Sequence, residues 1–144
     1  MIYTSYFAKL KDLPDHIIPV SICGKAPEWY KGLQYKKLAP KYDFFMTWKH
    51  TKDNDYYTKC FIEQVLGVLS VERVIKELDQ LLLTHTTSVD YNGDLQKTPR
   101  IALICYERPY EFCHRHIVAN WLTQQGFECA EWGGDDYGKH DSLQ

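Results

Sequence analysis

The segment spanning residues 99–122 constrains the fold of this chain more than any other. An apolar run of strand length, residues 101–106, lies between two prolines. A short polar loop follows, and apolar residues then recur at helical spacing from Cys113 onward. A continuously apolar strand is typical of a central strand whose two faces are both covered. The segment therefore predicts a strand–loop–helix unit at the centre of an α/β domain.

Hydrophobic patterning along the rest of the chain predicts strands that alternate with helices. Strands are predicted at residues 2–7, 16–23, 42–49, 101–106 and 127–132, and helices at 54–69, from 71 to just before 84, and at 113–125. Residues 29–39 are expected to form a short helix or a covering loop, and residues 84–98, with the turn signal Asn92-Gly-Asp94, a loop. The alternation predicts a single three-layer, Rossmann-like α/β domain with a mainly parallel sheet.

Local signals refine these boundaries. Asn54 and Ser70 are predicted helix caps, and Gly126 is placed where a helix commonly ends. Pro19 indicates that the strand at 16–23 is irregular or near an edge. In parallel sheets ligands bind beyond the carboxyl ends of the strands. Residues 105–115, the loop after Phe7 and the loop at 23–29 are therefore expected on one rim.

Length and charge narrow the class of protein. The 144 residues fit one domain, predicted at 1–132, with a flexible or loosely packed tail at 133–144. A net charge of −2, with acidic and basic residues interspersed, argues against duplex nucleic acid or an anionic membrane as a partner. The chain has neither a secretory leader pattern nor an apolar run of membrane-spanning length. A cytoplasmic protein without a membrane partner is expected.

The five cysteines are odd in number and lie mostly inside apolar segments. This usage does not fit a secreted disulfide framework, so reduced thiols are expected. Cys105, Cys113 and His114 are potential metal ligands, but no C-x-x-C pair exists and a fourth ligand would have to come from far along the chain. No metal and no cofactor are predicted.

The helix start Cys113-His-Arg115 is the sharpest candidate site, and three of the four arginines lie between residues 100 and 115. Unpaired N–H groups and the helix dipole favour anions there. Arg115 is predicted to clamp a phosphate or carboxylate, the alternative being an ion pair with Glu107 or Glu111. His114 is a general acid or base, or a buried and satisfied histidine.

Most of the remaining candidates have both a functional and a structural interpretation. Cys113 is a candidate nucleophile or redox centre, because a thiolate is favoured at a helix start, or else a small buried residue. Cys105 is a candidate ligand contact or, alternatively, packs at a strand end. Glu107 fits a base, an orienting acid, a partner for a sugar hydroxyl or a solvent-exposed loop acid. Ser5, Tyr6, Lys25 and Trp29 could contact a ligand at the rim. The aromatic residues between 29 and 57 are stacking platforms for a base or, alternatively, core and rim packing.

The motif Cys105-Tyr-Glu107, the seven residues between Cys105 and Cys113, the run Cys113-His-Arg115, and then Ile117-Val-Ala119 and Leu122 resemble the signature of the domain of unknown function 488 family. Tyr3-Thr-Ser-Tyr-Phe7 and Pro19-Val-Ser-Ile22 are also similar to members of that family, particularly a phage and bacterial subgroup. The resemblance implies a Rossmann-like domain with a site at Cys105, Glu107, Cys113, His114 and Arg115. It implies no particular reaction.

Two functions fit these features. The first is an enzyme or sensor that binds or processes a nucleotide or related phosphorylated ligand, with Arg115 holding the anion, His114 and Glu107 in acid/base or orienting roles, and Cys113 as a possible nucleophile. The second is a non-catalytic binding protein, for example a phage factor that sequesters a nucleotide signal or a host protein. In the second case the aromatic segment would form the contact surface.

Overall fold

The computed structural model describes residues 1–88 and 98–133, which form an α/β domain. The strands are β1 (Ile2–Tyr6), β2 (Ile17–Ser21), β3 (Leu33–Gln34), β4 (Arg100–Cys105) and β5 (Cys129–Glu131). The helices are α1 (Tyr42–Thr51), α2 (Asn54–Gln64), α3 (Val71–Ser88) and α4 (His114–Gln124). Short 3₁₀ turns occur at Phe7–Asp12, Lys36–Leu38 and Leu66–Val68.

The sheet is entirely parallel, in the order β3-β2-β4-β1-β5. Strand β4 is central, and every residue from Ile101 to Cys105 is buried. The pattern of uninterrupted apolar residues predicted this position, because a strand between two others can be covered on both faces. The predicted α/β, Rossmann-like fold with a parallel sheet is confirmed.

The two faces of the sheet are covered by different kinds of structure. Ile101 and Leu103 pack with buried residues of α2, α3 and α4. Ala102 and Ile104, which alternate with them along β4, pack on the opposite face against Phe7 of the first 3₁₀ turn. The three layers are therefore helices, sheet, and a cover made largely of turn and loop.

The strand predicted at residues 42–49 is wrong, because this segment is helix α1. Its aromatic residues suggested a strand, yet that preference depends on which surface the side chains meet. In α1, Phe44 and Trp48 are one turn apart and contact the same ring, Tyr57 of α2, at centroid distances of 5.2 and 5.9 Å. Packing on α2 thus outweighs local propensity. The two-residue strand β3 lies within the segment predicted as a helix or loop.

Helix boundaries follow the sequence signals with small shifts. Asp53 rather than Asn54 caps α2, since its side chain accepts the Tyr56 N–H. Ser70 caps α3 as predicted, accepting the Arg73 N–H at 3.3 Å. Gly126, with φ +94°, follows α4 and donates its N–H to Thr123.

The loop predicted at 84–98 begins later than expected, because α3 continues to Ser88. The turn signal at Asn92 and the predicted tail lie outside the described residues. Within residues 1–88 and 98–133, no helix combines the length and apolar character needed to cross a bilayer.

Strand order creates a crevice at one end of the sheet. β2 and β4 are neighbours, but the chain leaves β2 toward β3 on one side and leaves β4 toward β5 on the other. Where connections diverge in this way, a crevice opens beyond the carboxyl ends of the two strands. The segments after β2 and after β4 therefore meet there, as the rim predicted from the sequence requires.

Candidate functional site

A cavity of about 750 Å³ lies beyond the carboxyl ends of β2 and β4, beside α1 and the start of α4. Its volume falls within the range of small-ligand sites, about 300–1,000 Å³. Six aromatic residues line it: Tyr42, Phe45, Trp48, Tyr57, Tyr106 and Phe112. Its polar and sulfur-containing lining comes from Cys23, Lys25, Lys49, Glu107, Cys113 and His114.

The aromatic wall is built by helix α1, helix α2 and the loop before α4. Trp48 stacks on Phe112 with ring centroids 5.7 Å apart and an interplanar angle of 30°. Tyr57 meets the same Phe112 ring edge-on at 5.2 Å. These contacts hold the rings against one another in an apolar wall that lines the cavity. The rings pack on one another, as the packing interpretation requires, and they also line a cavity.

Helix α4 begins at the cavity. Cys113 is its N-cap, with extended backbone (φ −158°, ψ 141°), and its sulfur accepts the Arg115 N–H at 3.5 Å. Helix caps commonly accept such a bond through oxygen, and here sulfur takes that role. Cys113 and His114 consequently present the positive end of the helix dipole to the cavity.

Cys105 and Cys113 form a disulfide, so the predicted reduced state is wrong for these two residues. The other three cysteines, Cys23, Cys60 and Cys129, are free and buried. The pairing could not be read from cysteine number or spacing. It depends on the end of β4 and the cap of α4 lying side by side, which only the fold determines.

Arg115 lies behind the cavity and is fully buried. Its Nε and Nη2 donate to the two carboxylate oxygens of Glu131 at 3.1 and 2.8 Å, a bidentate ion pair. Its Nη1 donates to the Glu107 carbonyl oxygen at 2.6 Å and to the sulfurs of Cys105 and Cys113 at 3.3 and 3.5 Å. A ligand anion would have to displace these acceptors, so the geometry favours the ion-pair interpretation over the clamp.

The acid partner differs from the two considered from the sequence. Neither Glu107 nor Glu111 pairs with the guanidinium; Glu131 of β5 does. Thr4 of β1 also donates to Glu131 through its hydroxyl. One sequence signal for this partner was available. Glu131 is an acid inside the strand predicted at 127–132, and a carboxylate in a buried strand needs a partner.

His114 is buried and neutral. Burial is the main cause that lowers its pKa to about 4, and the nearby Arg115 charge acts in the same direction. Its Nε2 lies 2.8 Å from the Ile22 carbonyl oxygen. Because a carbonyl can only accept, Nε2 carries the proton and Nδ1 keeps a lone pair. The ring is therefore a weak base. Its hydrogen bond to Ile22 joins the start of α4 to the segment after β2.

Glu107 is the acid whose environment best suits proton transfer. It is half-buried at the cavity, and desolvation raises its pKa above the ordinary value of 4.5, with Arg115 acting in the opposite direction. Cys23 has a pKa raised to about 12, first by burial and then by Glu107, so its thiol stays protonated. Glu107 is thus the better candidate for exchanging a proton with a ligand.

Most of the other predicted site residues lie apart from the cavity. Cys105 and Ser5 are fully buried on β4 and β1, and within the described part of the chain the Ser5 hydroxyl has no hydrogen-bond partner. The Tyr6 ring packs on Arg115, whose Cζ is 5.7 Å from the ring centroid. Trp29 is exposed and contacts Phe7 edge-on at 5.9 Å. Of the rim candidates, Lys25 alone lines the cavity.

Sequence reasoning missed Lys49, and it assigned Phe45 and Trp48 of the aromatic segment to a strand. All three line the cavity because their segment is a helix that turns one face toward the crevice. In a strand, successive side chains point to opposite faces, so these residues would not all lie on one face. In a helix, their spacing places them on the same face. Recognising α1 from its i, i+4 aromatic pair would have found them.

The described residues contain one group that could hold a metal ion. Ligand atoms of Cys105, Cys113 and His114 lie within 4.8 Å of one another. The two sulfurs are bonded to each other, and a metal binds thiolates rather than a disulfide. The group is therefore a ligand set only after reduction.

The parallel sheet, the crevice beyond β2 and β4 and the Cys-His-Arg helix start together define a Rossmann-like domain with a candidate ligand site. The family model described as "Active DUF488-N3 subclade" matches residues 6–126. The chain therefore belongs to the domain of unknown function 488 family, which confirms the resemblance seen in the sequence. No curated protein and no solved structure matches the chain.

Replacing Arg115 by Met should lower the free energy of unfolding by about 3–5 kcal/mol, because the Glu131 carboxylate is left buried without its countercharge. The matched control is Arg73→Met, which removes an exposed ion pair with Glu77 whose closest atoms are 4.0 Å apart. That change should cost less than about 1 kcal/mol. Urea unfolding measures both, and equal losses would contradict a structural role for Arg115.

Stability should fall as the pH falls from 6.5 to about 4, because the unfolded chain takes up a proton on His114 that the folded protein refuses. The His114→Gln variant lacks this group and should show a flatter profile over that window. Urea unfolding at several pH values measures the difference. An identical slope in both proteins would show that His114 is not buried in its neutral form.

Proposed function

We propose that the protein binds a nucleotide, or a related phosphorylated ligand with a flat ring, in the cavity beyond β2 and β4. The observation that best supports this is the combination of six aromatic residues and two lysines around one cavity. Aromatic faces attract flat rings, and lysine side chains attract phosphate. A ligand that contains both groups would use both parts of the wall.

The ring of the ligand would stack against the wall formed by Trp48, Phe112 and Tyr57. Their mutual contacts hold these side chains in place before a ligand arrives, which lowers the entropic cost of binding. Stacking of one base on an aromatic side chain contributes about 1–3 kcal/mol. This contribution tolerates many ring types, so it supports a class of ligand rather than one compound.

The anionic group would lie toward Lys25, Lys49 and the start of α4. Lys49 extends over Phe45 with its Nζ 5.4 Å from the ring centroid, beside the aromatic wall. Lys25 is exposed on the loop after β2, and its carbonyl accepts the Tyr106 hydroxyl at 2.7 Å. In this proposal the lysines take the role first predicted for Arg115, whose guanidinium is held by acceptors of the protein.

Binding is better supported than turnover in the disulfide form. With Cys113 joined to Cys105 and His114 a weak base, Glu107 is the group at the cavity best placed to exchange a proton. These features favour the second hypothesis, retention of the ligand without reaction. A cytoplasmic location is part of this proposal and rests on the sequence alone.

A nucleoside monophosphate should bind more tightly than either the matching nucleoside or ribose phosphate, because only the whole molecule contacts both the rings and the lysines. Lys49→Ala should weaken binding of the monophosphate by about two- to fivefold, the effect of one exposed charge pair, and leave the nucleoside unaffected. Isothermal titration calorimetry measures these affinities.

The matched control is Lys76→Ala, which removes an exposed lysine of α3 that does not line the cavity. Its affinity for the monophosphate should equal that of the unmodified protein. Equal affinities for nucleoside and monophosphate, or equal losses in the two lysine variants, would contradict the proposal. Chromatography of the ligand after incubation separates retention from turnover.

A further inference from the structure

The two sulfurs of the Cys105–Cys113 disulfide lie in different environments. Cys113 lines the cavity and is 4% exposed, whereas Cys105 is fully buried at the end of β4 and does not line it. A reagent that enters the cavity therefore meets Cys113 and not Cys105. Thiol–disulfide exchange proceeds by direct attack on one sulfur, so this asymmetry decides which residue reacts.

We propose that Cys105 and Cys113 form a thiol–disulfide exchange centre, in which low-molecular-weight thiols and disulfides react at Cys113 and Cys105 is the internal partner. This activity is separate from ligand binding and does not depend on the identity of the ligand.

Arg115 supplies the charge that such a centre needs. Its Nη1 lies 3.3 Å from the Cys105 sulfur and 3.5 Å from the Cys113 sulfur. The guanidinium is held in that position by its ion pair with Glu131. A fixed positive charge beside sulfur stabilises thiolate, which is both the leaving form and the attacking form in exchange. The Cys113 sulfur also accepts the Arg115 N–H at the start of α4.

Cys23 is the nearest competitor, and its environment removes it from the exchange. It is a free thiol that lines the cavity. Its pKa is raised to about 12, so it is almost entirely protonated at neutral pH and a poor nucleophile. The reactive sulfur at this cavity is therefore Cys113.

The exchange is balanced in both directions. A thiolate RS⁻ attacks the Cys113 sulfur, an R–S–S–Cys113 bond forms, the Cys105–Cys113 bond breaks and its electron pair leaves on Cys105 as thiolate. A second RS⁻ attacks the R sulfur and releases RSSR and the Cys113 thiolate, so two thiols are oxidised as one protein disulfide is reduced. In reverse, oxidised glutathione restores the protein disulfide and two molecules of glutathione leave.

The test uses the full chain, reduced with dithiothreitol, desalted and mixed with oxidised glutathione. In Cys105→Ser, a single glutathione should remain on Cys113, because no internal thiol displaces it. In Cys113→Ser, the adduct on Cys105 should form at least about tenfold more slowly, since that sulfur is buried. Peptide mass spectrometry locates each adduct, and the unmodified protein should regain its disulfide.

Serine is a favoured helix cap, so Cys113→Ser is expected to fold, and circular dichroism checks both variants. Cys60→Ser serves as a control at a buried thiol away from the cavity and should behave as the unmodified protein. Comparable adduct rates at Cys105 and Cys113, or an adduct on Cys23 in preference to Cys113, would overturn the proposal. So would reduced protein that retains one equivalent of zinc with both sulfurs unreactive toward glutathione disulfide.

Discussion

The buried ion pair between Arg115 and Glu131 is the interaction on which the rest of the site depends. It joins the first turn of α4 to strand β5, and the remaining guanidinium nitrogen contacts the end of β4 and the loop that follows it. A charge without water requires fixed partners, so the arginine can occupy this position only when these elements meet around it. The position of Cys113 and His114 at the cavity follows from that arrangement.

Because Arg115 is buried, the positive charge that organises the protein is a different one from the positive charges that face the cavity. The buried guanidinium organises the helix start and the sulfur pair from behind. Lys25 and Lys49, which are exposed at the cavity, offer charges that a ligand can reach without disrupting the protein. The site therefore has a buried ion pair on one side and exposed lysines on the other, an arrangement that is compatible with the proposed ligand binding.

The sequence predicted those features that depend on local pattern. The apolar run in β4, the serine cap of α3 and the glycine after α4 each have a local physical cause, and the structure contains all three. Residues 42–49 were assigned to the wrong element, because aromatic side chains suit strands and helices alike and tertiary packing on Tyr57 decides between them. Local signals thus predicted the central strand and the start of α4. They did not show that residues 42–49 form a helix whose aromatic side chains build one wall.

Local sequence patterns could not predict which side chains pair with one another within the site. Glu131 is distant from Arg115 along the chain, and the partner of Cys105 depends on how β4 and α4 meet. Sequence patterns placed residues 105–115 and the loop at 23–29 at the same end of the sheet, where the structure has them. They did not show which charge faces a ligand and which faces the protein, because that depends on strand order and burial.

In the proposed function, the aromatic cavity and its lysines form one ligand site. Native mass spectrometry of the purified protein, followed by identification of any released small molecule, is the decisive measurement. We expect a phosphorylated compound with an aromatic ring, retained by the unmodified protein and retained in smaller amounts by the Lys49→Ala and Trp48→Ala variants while both remain folded. A released compound that lacks either the phosphate or the ring, or one that both variants retain in full, would contradict this proposal.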